Sequence, residues 1–174
     1  MKKLVLLVVT FLSFISIVSA QTTLKQYKAG HTFSISLPDY MSKTIGLNSD
    51  ATIQYKSKIK DVYGFVIVDS KEDLALAEMN FSSLKEFYEN FIAKFLKDEE
   101  KRVVSAPVYK KVGDINFVET DVTYYDKEAE AEIYYLAGVV ETKAAFYKVM
   151  SWATKENKDT FKADFQKILY SLKD

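Results

Sequence analysis

Carboxylates and tyrosines carry most of the chemical capacity of this chain. Asp121, Asp126, Glu128, Glu130 and Glu132 fall close together, and carboxylate oxygens are what Ca²⁺ or Mg²⁺ requires. Glu128, Glu130 and Glu132 are spaced by two, which would line one face of a strand and reads as a solvated face. The spacing does not match an EF-hand loop, and the glycine such a loop needs is missing. Glycoside hydrolysis needs carboxylates converging from separate elements, and no such pair can be named here. His31 is the single histidine and there is no cysteine, so a zinc site would have one imidazole and no thiolate. His31 follows Gly30 and reads as a solvated turn residue. No nucleophile elbow, zinc-protease pair or phosphate-cradling glycine loop is present. The expectation is no catalytic residue, no metal and no cofactor.

The aromatic residues are the stronger feature. Tyr124, Tyr125, Tyr134, Tyr135, Tyr147 and Trp152 fall on three consecutive segments of alternating pattern. Each adjacent tyrosine pair must send one ring to either face of a sheet. Where a helix covers the face, the ring is core; where none does, it can line a cleft or a partner surface. Tyr40, Tyr124, Tyr134, Tyr147 and Trp152 are the candidate ligand or partner surface on this reading. The competing reading makes them half-buried sheet residues of high β-propensity.

The elements that would position them follow from periodicity. Residues 83–96 place Leu84, Phe87, Tyr88, Phe91, Ile92, Phe95 and Leu96 at spacings of three and four, the face of an amphipathic helix. Ser83 and Glu86 fit a capping box. Residues 32–37 and 51–57 alternate as strands, and 62–68 is nearly all apolar, as in a strand covered on both faces. Residues 40–50 look irregular, and 70–80 fits either a short helix or an ordered loop. Residues 101–112 read as one strand, at an edge or bulged because Pro107 cannot donate to a ladder. Three strands, 115–125, 130–140 and 144–153, joined by short polar turns predict an antiparallel meander. A second amphipathic helix closes the chain, with Phe161, Phe165, Ile168, Leu169 and Leu172 as its stripe and Asn157 as its N-cap. The order is about four strands, a helix, four strands, a helix. It predicts an α+β fold: an antiparallel sheet of about six to eight strands flanked by helices in a three-layer α/β/α sandwich.

The N-terminus reads as an export signal. Lys2 and Lys3 precede an apolar run over 4–18, and Val18-Ser19-Ala20 predicts cleavage before Gln21. The division is therefore 1–20 signal peptide and 21–174 a single domain. Without Lys2 and Lys3, the 24 basic residues fall to 22 against 24 acidic. That mixed, near-neutral surface excludes a nucleic-acid footprint. No membrane span is expected after cleavage, and the location is periplasmic or secreted. Without cysteine there are no disulfides, so stability must come from packing, which 12 Phe, 12 Tyr and one Trp can supply.

Three patterns together resemble the PsbP-like superfamily. HTFSISLPDYM is similar to its opening strand, which ends in proline before an aromatic residue. FYKVMSWATKENKDTFKADFQKILYSLKD is similar to its close, with Ile168, Leu169, Ser171 and Leu172 in the terminal pattern. The mid-chain helix sits where that family places its own. The resemblance spans most of 27–173 and carries no catalytic signature. It implies the sandwich fold and, as for most of that family, a role in binding. The metal role of its photosystem members is not implied, because no matching ligand motif is present. The expectation is an exported, non-enzymatic binding or accessory module for a protein partner or small apolar ligand. The alternatives are a cavity-type carrier of lipid or aromatic ligands, and a carboxylate-based enzyme.

Overall fold

The computed structural model describes residues 22–30 and 32–174. The signal segment, the cleavage point before Gln21 and His31 lie outside the described residues. An eight-stranded antiparallel sheet forms the middle layer. Its strands are β3 (Ser42–Thr44), β4 (Ile53–Ser57), β5 (Val62–Ser70), β6 (Glu100–Val104), β7 (Val108–Val112), β8 (Ile115–Asp126), β9 (Ala131–Glu141) and β10 (Ala145–Thr154). The spatial order is β3-β4-β5-β10-β9-β8-β6, and β7 also pairs with β8. The long meander β8–β9–β10 forms as its alternation predicts, and β10 returns to pair with β5.

One face of the sheet is covered by the C-terminal helix α3 (Lys158–Tyr170) and by a separate hairpin, β1 (Leu24–Ala29) with β2 (Phe33–Pro38). The other is covered by α1 (Lys71–Leu76) and α2 (Leu84–Lys94). These are the outer layers of the α/β/α sandwich. On the α3 face, Ile35 and Leu37 of β2 meet Phe165, Ile168 and Leu169 of α3 over Tyr134, Leu136 and Val140 of β9. Two glycines permit this packing. A Cβ on Gly138 would stand 2.4 Å from Leu169 Cδ1, and one on Gly64 would meet the Tyr55 ring at 2.2 Å and the Met150 carbonyl oxygen at 2.5 Å. Residues 171–174 close the layer: Ser34 N–H donates to Lys173 O (2.7 Å), and Ser36 N–H donates to Ser171 Oγ (2.8 Å).

The local readings shift in five places. The 40–50 stretch holds the short strand β3. Residues 101–112 are two strands, because 105–107 break the run at Pro107 and both halves pair with β8. Among the described residues five strands precede the first helix, and β1 and β2 leave the main sheet. Ser83 Oγ accepts from Glu86 N–H at 3.3 Å, but the Glu86 carboxylate reaches back to the N–H and hydroxyl of Ser82 (2.8 and 2.7 Å), one residue earlier than a capping box. Asn157 ends a 3₁₀ turn (Lys155–Asn157) and makes no side-chain cap; its amide donates to Thr154 Oγ1 at 2.9 Å instead. Asp98, Glu99 and Glu100 lie past the end of α2, whose last carbonyls are met by Arg102. Its Nε donates to Phe95 O (2.9 Å) and its Nη2 to Ile92 O (2.6 Å), placing a cation at the negative helix end. Among the described residues no helix is long and apolar enough to cross a membrane.

Candidate functional site

Strand register assigns Tyr124, Tyr134, Tyr147 and Trp152 to a face, and Tyr40 follows from its turn after β2. Tyr134 and Tyr147 point to the α3 face and are buried. Tyr134 stacks on Phe165 with centroids 6.2 Å apart, and Tyr147 meets Phe33 edge-on at 5.1 Å. Their hydroxyls are held at the margin of the layer. Tyr134 donates to Asp121 Oδ1 (2.9 Å) and Tyr147 to Asp174 Oδ2 (3.4 Å). Half-buried Tyr40 belongs to the same face, donating to Asp164 Oδ2 at 2.7 Å with Lys60 over its ring. Tyr170 donates to Glu119 at 2.9 Å. Burial pushes the Tyr134 and Tyr40 phenols well above their usual range, and the adjacent carboxylates push the same way; Tyr147 is pushed up to about 12, chiefly by burial.

Asp121 answers the question of the acidic stretch. Its carboxylate takes Lys158 (2.8 Å), Lys162 (2.7 Å) and the Tyr134 hydroxyl. Burial works to raise its pKa, and these three donors together hold it below the usual range. Asp126 Oδ1 accepts from the N–H groups of Glu128 and Ala129 and so shapes the β8–β9 turn. Glu128 and Glu130 lie in that turn and not on a strand face, while Glu132 pairs with Lys155 at 2.8 Å. Among the described residues no group of three or more histidine, aspartate or glutamate side chains is placed to hold a metal ion.

Tyr124 and Trp152 point to the α2 face, where the surface is more open. Three directly paired residues on neighbouring strands, Tyr63, Trp152 and Tyr135, stack as a ladder with centroids 5.4 and 5.1 Å apart. Tyr124 adds a fourth ring 6.2 Å from Tyr135. Burial and the neighbouring Asp126 push Tyr124 up to about 12. A stack at strand spacing leaves ring edges exposed and hides most ring faces against one another. A cleft of about 350 Å³ opens beside it, bounded by Tyr63, Tyr124, Trp152 and Ile133 and edged by Asp61 and Asp126.

Phe95 links this ladder, at 5.3 Å from Tyr135, to a second cleft under the helices. That cleft also measures about 350 Å³ and lies between α1, α2 and the sheet. Its walls are Leu74, Met79, Phe81, Phe87, Phe91 and Phe95, and its polar side is the Asp69–Lys148 ion pair at 2.9 Å. Phe87 stacks on Phe146 at 4.3 Å, and Phe81 stands edge-on to Phe87 at 5.0 Å. Only Leu84, Phe87 and Tyr88 of the α2 stripe are buried; Phe91, Ile92, Phe95 and Leu96 remain partly exposed. Ser70 caps α1, its Oγ accepting from Asp73 N–H at 3.0 Å, and this fixes Leu74 inward while Met79 stays half exposed.

The structure thus brings Tyr124 and Trp152 into one aromatic surface and sets Tyr40, Tyr134 and Tyr147 on the opposite face. Phe81, Phe87, Phe91 and Phe95 of the second cleft, Tyr63 and the Asp69–Lys148 pair are not among the sequence candidates. The α2 stripe carried the signal for the phenylalanines. Tyr63 and Asp69 depend on the long-range pairing of β5 with β10, which no local pattern encodes.

The backbone arrangement recurs in solved structures. Cyanobacterial PsbP from Synechocystis sp. PCC 6803 superposes with a TM-score of 0.61 at 14% identity, over 90% of this chain and 95% of that one. The fold is PsbP-like. LpqN of Mycobacterium tuberculosis, described as involved in cell envelope biogenesis, is similar with a TM-score of 0.55 at 11% identity, over 89% of this chain and 86% of that one. A Pseudomonas aeruginosa protein of unknown function, PA94, gives 0.50 at 9% identity, over 82% and 91%. No family model and no curated protein matches the sequence. At these identities the likeness carries the PsbP-like frame and not the side chains, so the clefts stand on their own geometry.

Proposed function

We propose that this chain is an exported, non-enzymatic binding module, and that its working surface is the α2 face of the PsbP-like sheet. One observation carries the reading. The α3 face is packed by a helix and a hairpin over its aromatic core, whereas the α2 face keeps a phenylalanine-walled cleft of about 350 Å³ beside the Asp69–Lys148 ion pair. That volume, with apolar walls and few polar groups, has the character of a small-ligand site. The ligand class is a small, mostly apolar molecule. The likeness to PsbP and to LpqN, which is involved in cell envelope biogenesis, fits an accessory role outside the cytoplasm, as does the leader-like segment over 1–20.

The carboxyl chemistry supports a non-catalytic role. A general acid needs a raised pKa. Glu86, Asp121, Asp126, Glu132 and Asp164 are each displaced downward by hydrogen-bond donors, the wrong direction for an acid.

Fluorescence titration with the neutral probe N-phenyl-1-naphthylamine tests the cleft. Saturable one-to-one binding is expected, weakened at least tenfold in Phe81→Ser and in Phe91→Asp. Absence of saturation up to the probe's solubility limit, or binding unchanged in both variants, contradicts the reading. Mass measurement of the exported chain should show Gln21 as its first residue; a retained Met1 contradicts export with cleavage.

A further inference from the structure

The outer edge of the sheet carries a surface that the phenylalanine cleft does not use. All five residues of β7 are exposed, and among the described residues β7 pairs only with β8. Nine large hydrophobic side chains are exposed among the described residues, and four of them, Val103, Val108, Tyr109 and Val112, lie on β6 and β7. Such a concentration on an unpaired edge is what sheets normally avoid.

The register shows which backbone groups are free. Asp121 O accepts from Ser105 N–H at 2.9 Å, so it points toward the β6–β7 side. Bonding direction alternates along an antiparallel strand. Glu119, Phe117 and Ile115 therefore bond to Val108, Lys110 and Val112, their register partners. The N–H and C=O groups of Tyr109 and Lys111 consequently point outward, with no strand beyond them. Beside them, a groove of about 360 Å³ between β7 and the start of α2 is lined by Leu84, Lys85, Tyr109, Lys110 and Lys111, and by Glu141, whose charge is taken by Lys71 at 2.9 Å. The Lys85 ammonium is taken by Glu89 at 2.5 Å. Lys110 lies over the Tyr170 ring at 4.2 Å. Among the described residues neither Lys110 nor Lys111 is ion-paired.

A second copy of the chain does not suit this edge. A two-fold antiparallel pairing must match outward residues with outward residues. Centred on Lys110 it sets Lys110 against its own copy, and centred on Lys111 it does the same for Lys111; like charges directly opposite are destabilising. Centred on Tyr109, it sets Lys111 against Pro107, which has no N–H to donate. We infer that β7 is a docking edge for an extended acidic segment of another protein. The segment adds as a ninth strand, bonding the backbone of Tyr109 and Lys111. Its acidic side chains meet Lys111 on one face of the strand, and its apolar ones cover Val108 and Val112 on the other. Strand addition of this kind takes affinity from the main chain and specificity from alternate side chains.

The test uses the exported chain and three seven-residue peptides: one alternating Val and Glu, one alternating Val and Lys, and the Val/Glu peptide with a central Pro. Backbone amide NMR at low salt reads the result. The Val/Glu peptide should saturate and slow hydrogen exchange of the Tyr109 and Lys111 amides at least tenfold, and the other two should not bind. Lys111→Pro removes an outward N–H without breaking a ladder bond, so it should fold normally and lose the peptide. Lys110→Glu with Lys111→Glu should weaken it at least tenfold. Binding unaffected by Lys111→Pro, protection elsewhere, or no saturation at millimolar peptide overturns the inference. A dimer in sedimentation equilibrium that Lys111→Pro dissolves overturns the choice of occupant.

Discussion

The two faces of one sheet are finished differently. The α3 face is closed by a helix and a hairpin, and four tyrosines at its margin give their hydroxyls to carboxylates: Tyr134 to Asp121, Tyr40 to Asp164, Tyr147 to Asp174 and Tyr170 to Glu119. The α2 face has two helices, of six and eleven residues, over the same strands, and a large aromatic content that is only partly covered. Buried polar groups are affordable only when bonded, and the α3 face meets that condition throughout. The α2 face instead leaves apolar surface accessible, which costs stability and offers a place for a ligand. The same β-strands serve both purposes because alternate residues face opposite ways.

The largest contrast should come from truncating one phenylalanine on each face. Phe165, fully buried on the α3 face, should cost about 3–5 kcal/mol as Phe165→Ala in denaturant unfolding. Phe91→Ala should cost only about 1–2 kcal/mol, because its ring is only partly buried and its full burial value is not realised. Equal costs would mean that the α2 face is as closed as the other.

Gly64→Ala is the next largest effect. The added Cβ meets both Tyr55 and the Met150 backbone, so a loss of about 1–3 kcal/mol is expected from overpacking. Probe binding in the α2 cleft should survive in the fraction that remains folded.

Acid should separate the faces without mutation. The Asp121 and Asp164 carboxyls lie below their usual range in the folded state, the lysine and tyrosine donors outweighing burial. Their stabilisation is complete above the unfolded carboxylate pKa of about 3.9 and is lost as pH falls through the lower folded values. Hydrogen exchange at acid pH should therefore show α3 and the β1–β2 hairpin loosening before α2. Simultaneous loss of both layers would remove this distinction.

Ser83→Ala should have the smallest effect, about 0.5–1 kcal/mol, since its cap bond is 3.3 Å long and Glu86 independently fastens the preceding turn through Ser82. Glu86→Gln measured alongside it shows which of the two holds the start of α2.

Much of this architecture is legible in the residues. The alternation over 115–154 predicts the meander to within a residue or two, because a sheet buried on both sides fixes register strongly. The stripes at 84–96 and 161–172 predict the outer helices for the same reason. Other features depend on contacts between distant segments. Nothing local says that β1 and β2 leave the main sheet, or that Tyr63 stacks on Trp152, 89 positions away. Adjacent Ser82 and Ser83 offer the same hydroxyl to Glu86, so only the fold chooses between them. At the candidate surface, the sequence singles out Tyr124 and Trp152, and geometry adds Tyr63, Tyr135 and the phenylalanine cleft.

The central claim is that the α2 face receives a ligand and the α3 face only holds the fold. Aromatic ¹H–¹³C NMR during titration with N-phenyl-1-naphthylamine addresses it directly. The account predicts shifts confined to Phe81, Phe87, Phe91, Phe95 and Phe146, with the ladder from Tyr135 to Tyr63 following weakly through Phe95. Shifts centred on Phe33, Tyr134, Phe161 and Phe165, with the α2 cleft silent, would contradict it.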